Sequence, residues 1–356
     1  MILSVHYLRA VAALIVLLFH LTAKIPVTPA QKLSAEVGGA GVDIFFVISG
    51  VAMAVSTHGR HLSPLGFYAR RLVRIVPLYW LITSLVVLVV AVAPSVAGTS
   101  RLDPWHAAAS YLFLAWPHPG NPTDLAPLLV LGWTLNYEMV FYVLVGATLL
   151  LPRQRLRLAV LSGLILGLVA LGELVALGPR GTFYTSPLIL EFLAGFAVAR
   201  LWLGRRRLPP ALGLAGIALA LALFATVGPV LDPQRWDRLL RWGVPAVLLV
   251  ASAIAYERVR PVPESRTWRL LGDASYAIYL VQFLGVPAFA LAWRALRLPV
   301  DAGPLGLGFL LTGAVAVSLA AILVHRLVER PILEAMQGRG AGGAGRPIPH
   351  TRALSA

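Results

Sequence analysis

The sequence predicts an all-α fold, a polytopic membrane helix bundle of about ten transmembrane helices with both termini cytoplasmic. Three observations carry this. Of the 356 residues, 58% are hydrophobic and only 13% are charged, about half the charged share of an ordinary soluble domain. The apolar residues gather in ten runs, each close to the roughly 20 residues a helix needs to cross the hydrocarbon core. The arginines gather between those runs, mostly in alternate connections, which is the pattern that sets membrane orientation.

The runs lie at 2–22, 40–58, 72–94, 125–151, 155–177, 185–203, 209–231, 240–258, 272–294 and 304–328. Lipid offers backbone groups no partners, so continuous apolar runs of this length must be helices, whereas barrel strands alternate. In the first run, Arg9, an apolar stretch and LTA at 21–23 imitate a signal peptide; it is read here as a span. One set of connections holds Arg60, Arg70, Arg71 and Arg74, then Arg153, Arg155 and Arg157, then Arg205, Arg206 and Arg207, then Arg258, Arg260, Arg266 and Arg269. The other set holds Lys24 and Lys32, then Arg101, then Arg180, so the first set is assigned to the cytoplasm. The loop at 232–241 fits least well, with Arg235, Arg238 and Arg241 beside Asp232 and Asp237. In the longest outer loop, 101–124, the segment WHAAASYLFLAW is expected to dip into the interface on Trp105 and Trp116. Residues 1–337 read as one ten-span domain. The tail 338–356, rich in Gly, Pro and Arg, has too little apolar content to fold and is expected to be disordered.

Composition also bounds the chemistry. The formal charge of +15 sits in short clusters flanking apolar runs, so it is read as an orientation signal and no nucleic-acid partner is expected. The absence of cysteine excludes disulfides, thiolate metal sites and a cysteine-borne intermediate. The eight histidines are scattered, and His58 and His61 lack a matching group of carboxylates, so no metal is expected. Gly38, Gly39 and Gly41 precede a helix and follow no strand, which argues against a nucleotide-binding loop.

Ionisable residues inside spans are functional candidates by default. In RAVAALIVLLFH, residues 9–20, Arg9 and His20 are three helical turns apart on nearly one face, about 16 Å from each other, and are expected to open onto one shared cavity. GGAGVDIFFVISG, residues 38–50, puts Asp43 at about the depth of His20. There it would either hold one imidazole nitrogen and leave the other free as a base, or cap the helix start. In FYARRLVRIVPLYW, residues 67–80, Arg71 and Arg74 share a face and suit an anionic phosphate, although orientation would also account for them. WTLNYEMVFY, residues 133–142, stacks Thr134, Glu138 and Tyr142 on one face, and Glu138 must meet a cavity or a partner. GDASYAIYLVQF, residues 272–283, places Ser275, Tyr279 and Gln282 along one side, with Ser275 read as joining helices.

Taken in order, LRAVAALIVLLFH, GVDIFFVISG, RRLVRIVPLYW, WTLNYEMVFY, SYAIYL and the closing VERPI at 328–332 resemble the acyltransferase-3 family of membrane O-acyltransferases, nearest its exopolysaccharide-acetylating branch. The resemblance covers residues 3 to about 332. It implies an acyltransferase of the cell inner membrane that moves an acyl group, acetyl by default, from cytoplasmic acyl-CoA to a hydroxyl of an extracytoplasmic or lipid-linked saccharide. Acyl-CoA enters as a co-substrate and no cofactor is bound permanently. The resemblance carries catalytic roles onto Arg9 and His20 and donor binding onto Arg71 and Arg74. Many members have a histidine where this chain has Gln282, which cannot exchange a proton near neutral pH, so more weight falls on His20. The full set of expected site residues adds Asp43 and Glu138 to the catalytic group, and Trp133, Tyr137, Tyr142, Tyr279 and Gln282 to substrate binding. The rival readings are a transporter or flippase of a lipid-linked sugar or small solute, and a scaffold in a polysaccharide-export complex.

Overall fold

The computed structural model describes residues 1–26, 28, 36–59, 62–93, 102–205, 207–226, 230, 235–301 and 303–340, the last four by their backbone only. Lys32, Arg60, His61, Arg101, Arg206 and Asp232 lie outside the described residues, and so does the expected disordered tail beyond 340. Among the described residues there is no strand, and nine helices are long and apolar enough to cross a membrane.

In chain order the helices are α1, Leu3–Thr22; α2, Gly41–Thr57; α3, Pro64–Val92; the short α4, Pro104–Tyr111; α5, Trp133–Thr148; and α6, Gln154–Leu174. Then come α7, Gly178–Tyr184; α8, Ile189–Leu203; α9, Pro210–Thr226; and α10, Trp236–Glu257, which contains a π turn at Leu239–Gly243. The chain ends with α11, Arg266–Asp273; α12, Ser275–Ala295; α13, Pro304–Val324; and α14, Arg330–Gly340, the last two joined by a π turn at His325–Glu329. The run expected at 209–231 is α9, an apolar helix with 17 described residues; residues 227–229, which follow it, lie outside the described residues.

Two boundaries differ from the sequence reading, each for a local reason. α3 begins at Pro64, eight residues before the apolar run, because Ser63 Oγ accepts from the Gly66 N–H (3.1 Å) and Pro64 occupies the first helical position, where a missing N–H costs nothing. Arg70, Arg71 and Arg74 therefore lie on a helix and take a fixed direction from it. α5 begins at Trp133 and not at 125, because the Leu128 N–H is tied to Ser110 Oγ (3.0 Å) and the chain runs buried to a 3₁₀ turn at Val130–Gly132. In the loop 101–124, Asp103 caps α4 by accepting from the His106 N–H (2.7 Å); Trp105 is exposed, and Trp116 lies under the Arg180 guanidinium at 4.9 Å.

The bundle is pinned at two places that matter for the site. Glu257, at the end of α10, accepts from the Leu3 and Ser4 N–H groups (2.8 Å each) and from Ser4 Oγ (2.5 Å), satisfying orphan donors at the start of α1. α2 and α8 cross at Gly50 and Gly195, where a Cβ would come within 2.1 Å of the facing carbonyl oxygens of Phe192 and Val47. Small residues let helix backbones approach this closely, and Phe46 then stacks on Phe192 (4.6 Å). Gly195→Leu is therefore expected to cost about 3 kcal/mol or more, read as a collapse in folded yield and melting temperature in detergent. Gly163→Ala, in open space on α6, should leave both unchanged.

Candidate active site

Two helices bring cations, and a third brings polar groups, to one chamber of about 580 Å³. α1 contributes Arg9, α3 contributes Arg71 and Arg74, and α5 lines it with Thr134, Glu138 and Tyr142, so the stacked face of WTLNYEMVFY does look into a cavity. Arg71 donates from Nη2 to Ser56 Oγ (2.8 Å) and stands against the Phe67 and Tyr142 rings at 5.6 and 6.0 Å. Its buried Nε has no hydrogen-bond partner among the described residues. Arg9 and Arg74 lie within electrostatic reach of each other and make no ion pair among the described residues. Glu138 is engaged: its Oε1 accepts from Ser49 Oγ (2.7 Å) and from the Tyr142 hydroxyl (2.5 Å). The other lining carboxylate, Asp273, sits 3.4 Å from His6 Nε2. Three guanidiniums thus face two carboxylates, one of them already bonded. Guanidiniums with spare donors in a partly dry cavity form a site for an anion, phosphate above all.

A second chamber, of about 510 Å³, holds His20 together with Trp133, Phe183, Arg238, Trp242 and Tyr279. His20 Nδ1 lies 2.8 Å from the Val16 carbonyl oxygen one turn back. A carbonyl can only accept, so in the neutral ring Nδ1 carries the hydrogen and Nε2 keeps its lone pair. The imidazole is oriented by its own helix.

Four expectations are corrected. Arg9 and His20 do not share one cavity: they line separate chambers whose walls meet at Val42 and Tyr279. The Tyr279 ring stands between them, its hydroxyl held by Thr134 Oγ1 and the Leu131 carbonyl at 3.0 Å each. Asp43 does not hold His20. Its two oxygens accept from Arg238 Nε (3.0 Å) and Nη2 (2.9 Å), and no side chain caps the start of α2. The guanidinium fork matches a carboxylate in bidentate fashion, which a neutral imidazole cannot do. Tyr137 is fully buried, stacked on Phe183 at 4.3 Å, and lines neither chamber; next to Glu138 in sequence, it points about 100° away from it. Gln282 also lines neither chamber. It is buried within hydrogen-bonding reach of the His20 ring, donating its amide to the Tyr279 carbonyl (3.0 Å).

The sequence reading missed Arg238 as a site residue. The guanidinium is buried between the Trp133 and Trp242 rings, at 5.2 and 5.1 Å, and reaches the Gly39 carbonyl (3.3 Å) as well as Asp43. A signal was present, since 232–241 was the loop whose charges fitted orientation least. Its cations are consumed in ion pairs, Arg235 with Glu173 (3.2 Å), Arg238 with Asp43 and Arg241 with Asp237, and so say little about orientation. Glu191 was also missed. It is the one acid in LILEFLAGF, 188–196, and lies fully buried beside Asp43 and Arg238. In VERPI, Glu329 is buried and pairs with His325 Nδ1 (2.7 Å) across the π turn, within electrostatic reach of Arg9.

Comparison with known proteins adds three relatives and one family. A family model described as an acyltransferase domain, that of the acyltransferase-3 group, matches residues 2–325. The exopolysaccharide production protein ExoZ of Rhizobium meliloti (strain 1021) is 39% identical over 316 residues, covering 87% of this chain and 95% of ExoZ. BcsY of Komagataeibacter xylinus, which carries the name membrane-bound transacylase, is 30% identical over 346 residues, 92% of this chain and 82% of BcsY. YrhL of Bacillus subtilis (strain 168), which carries the name peptidoglycan O-acetyltransferase, is 29% identical over 332 residues, 79% of this chain and 50% of YrhL. No solved structure matches the chain.

Proposed function

Because the chain belongs to the acyltransferase-3 family, and is thus a multi-pass membrane enzyme transferring groups other than amino-acyl groups, we propose that it moves an acyl group, acetyl first, from cytoplasmic acyl-CoA to a saccharide hydroxyl. The acceptor is an extracytoplasmic or lipid-linked sugar such as an exopolysaccharide unit, by analogy with the name of ExoZ, and the enzyme works in the cell inner membrane.

The observation that carries this reading is the division of labour between the chambers. One gathers Arg9, Arg71 and Arg74 with donors to spare; the other holds an imidazole whose Nδ1 is tied to the Val16 carbonyl, which leaves Nε2 as the basic nitrogen of the neutral ring. The phosphates of acyl-CoA suit Arg71 and Arg74, with Arg9 deeper on the same wall, and the thin pantetheine arm then has to pass Tyr279 to bring the thioester to His20. That passage breaks two hydroxyl hydrogen bonds, a net cost on the order of 1 kcal/mol each, which donor binding can offset. His20 Nε2 takes the proton of the acceptor hydroxyl as its oxygen attacks the thioester carbonyl, and the CoA thiolate leaves. The same geometry permits Nε2 to carry the acyl group itself before the sugar attacks. Glu138, bonded to Ser49 and Tyr142, tempers the charge of the donor chamber and positions the Tyr142 hydroxyl. Family membership favours this over the transporter or flippase reading.

The test separates donor from chemistry. Arg71→Ala with Arg74→Ala should weaken acyl-CoA binding by at least about tenfold in a direct titration of purified protein. Unchanged donor affinity would sink the assignment of that chamber. Mass spectrometry of surface glycans from cells with and without the gene should show a lost acyl mass, and that mass identifies both the acyl group and the sugar.

A further inference from the structure

A third cavity, of about 360 Å³, lies where α2, α5 and α8 end and α6 begins. The C-terminal part of α2 separates it from the donor chamber: Met53 and Ser56 face that chamber, while Ala54, Thr57 and His58 face this cavity. Arg155, Arg157 and Arg200 line it together with His58, and no carboxylate does among the described residues. The cations are not spent on one another's partners. Arg155 and Arg200 make no hydrogen bond or ion pair through their side chains among the described residues, and Arg157 uses its Nε on the Leu151 carbonyl (2.7 Å), leaving its terminal nitrogens over the cavity. Gln154 closes one side by bonding His58 Nδ1 (2.6 Å). The floor is apolar, built of Leu149, Leu161 and Phe196. α6 presents exposed Leu164, Leu166, Leu171 and Leu174, the surface a helix shows to lipid.

We propose that this cavity is a binding site for an anionic phospholipid, with the headgroup phosphate on Arg155, Arg157 and Arg200 and an acyl chain along Leu149, Leu161 and Phe196. Basic pockets between transmembrane helices take acidic lipid headgroups in this way, and bidentate guanidinium–phosphate contacts supply the geometry. A free nucleotide fits less well, since among the described residues the lining offers a base only the Phe196 ring and the His58 ring tied to Gln154, and the remaining floor is aliphatic. Occupancy would steady the end of α2, whose opposite face holds Ser56 against Arg71, and so couples lipid composition to the donor chamber.

The experiment uses the full-length protein in neutral detergent, with phosphatidylglycerol or phosphatidylcholine added and retention read by native mass spectrometry. The expected result is preferential retention of phosphatidylglycerol, weakened by about thirtyfold in Arg155→Ala/Arg200→Ala. Both side chains are exposed, so the variant should melt as the parent does. Equal retention of the two lipids overturns the proposal, and so does a double variant that holds phosphatidylglycerol as the parent does. Millimolar inorganic phosphate or free CoA displacing the lipid completely assigns the cavity to a soluble anion and overturns the lipid assignment. Loss of His20 should leave lipid retention unchanged, which keeps this outcome separate from the fate of the proposed transfer reaction.

Discussion

His20→Ala is expected to remain folded, to bind acyl-CoA with unchanged affinity, and to lose at least about 10²- to 10⁴-fold in acyl transfer, the range associated with a positioned general base. Folding survives because the ring lies on a chamber wall and its Nδ1 is bonded within its own helix, to the Val16 carbonyl. Removing it leaves the α1 ladder intact. Donor affinity survives because the guanidiniums are in the other chamber, beyond Tyr279. The measurement is a pair: donor titration and turnover on the same purified sample, with a melting curve to exclude collapse. A variant that keeps most of its turnover removes His20 from the mechanism. One that loses donor affinity in parallel removes the two-chamber account instead. If the wild type, quenched in acid with donor alone, yields an acylated His20 peptide, the imidazole acts as carrier; if it does not, as base.

What the sequence could disclose follows from the range of each interaction. Spans were legible because a bilayer imposes a length of about 20 apolar residues on every crossing, so composition alone marks them. Faces within a helix were legible too: Thr134, Glu138 and Tyr142 are neighbours through 3.6-residue periodicity and do line one chamber. The early start of α3 was hidden because most of FYARRLVR precedes the apolar run that marked the span, whereas the Ser63–Pro64 cap sets the helix going before that run begins. The partner of Asp43 was out of reach for a different reason. Arg238 is 195 residues away, and nothing local to GVDIFF indicates which of several cations will arrive. The same holds for the partition at Tyr279, which depends on Leu131 and Thr134 of α5 and its preceding turn. A residue's face can be counted from the sequence; the residue it meets across the bundle cannot.

Replacing Asp43 tests that long-range contact. Asp43→Ala leaves the Arg238 guanidinium buried between Trp133 and Trp242, with Glu191 as the remaining acid beside it. Breaking a buried, bidentate ion pair by removing one partner costs about 3–5 kcal/mol, because the surviving charge stays desolvated. The effect should therefore appear first as a loss of folded protein and a lowered melting temperature, with activity falling in proportion. Had Asp43 served only to orient His20, the variant would melt normally and lose turnover alone, so the two readings diverge on stability. The second variant, Arg238→Met, should be comparably harmful, since it strands two carboxyl groups. The double variant Asp43→Ala/Arg238→Met should recover about 2 kcal/mol or more relative to the sum of the singles, the coupling expected of residues in direct contact. Additive losses would mean that the pair contributes no mutual stabilisation, and that the closeness of Asp43 to Arg238 has no energetic weight in holding the wall of the His20 chamber.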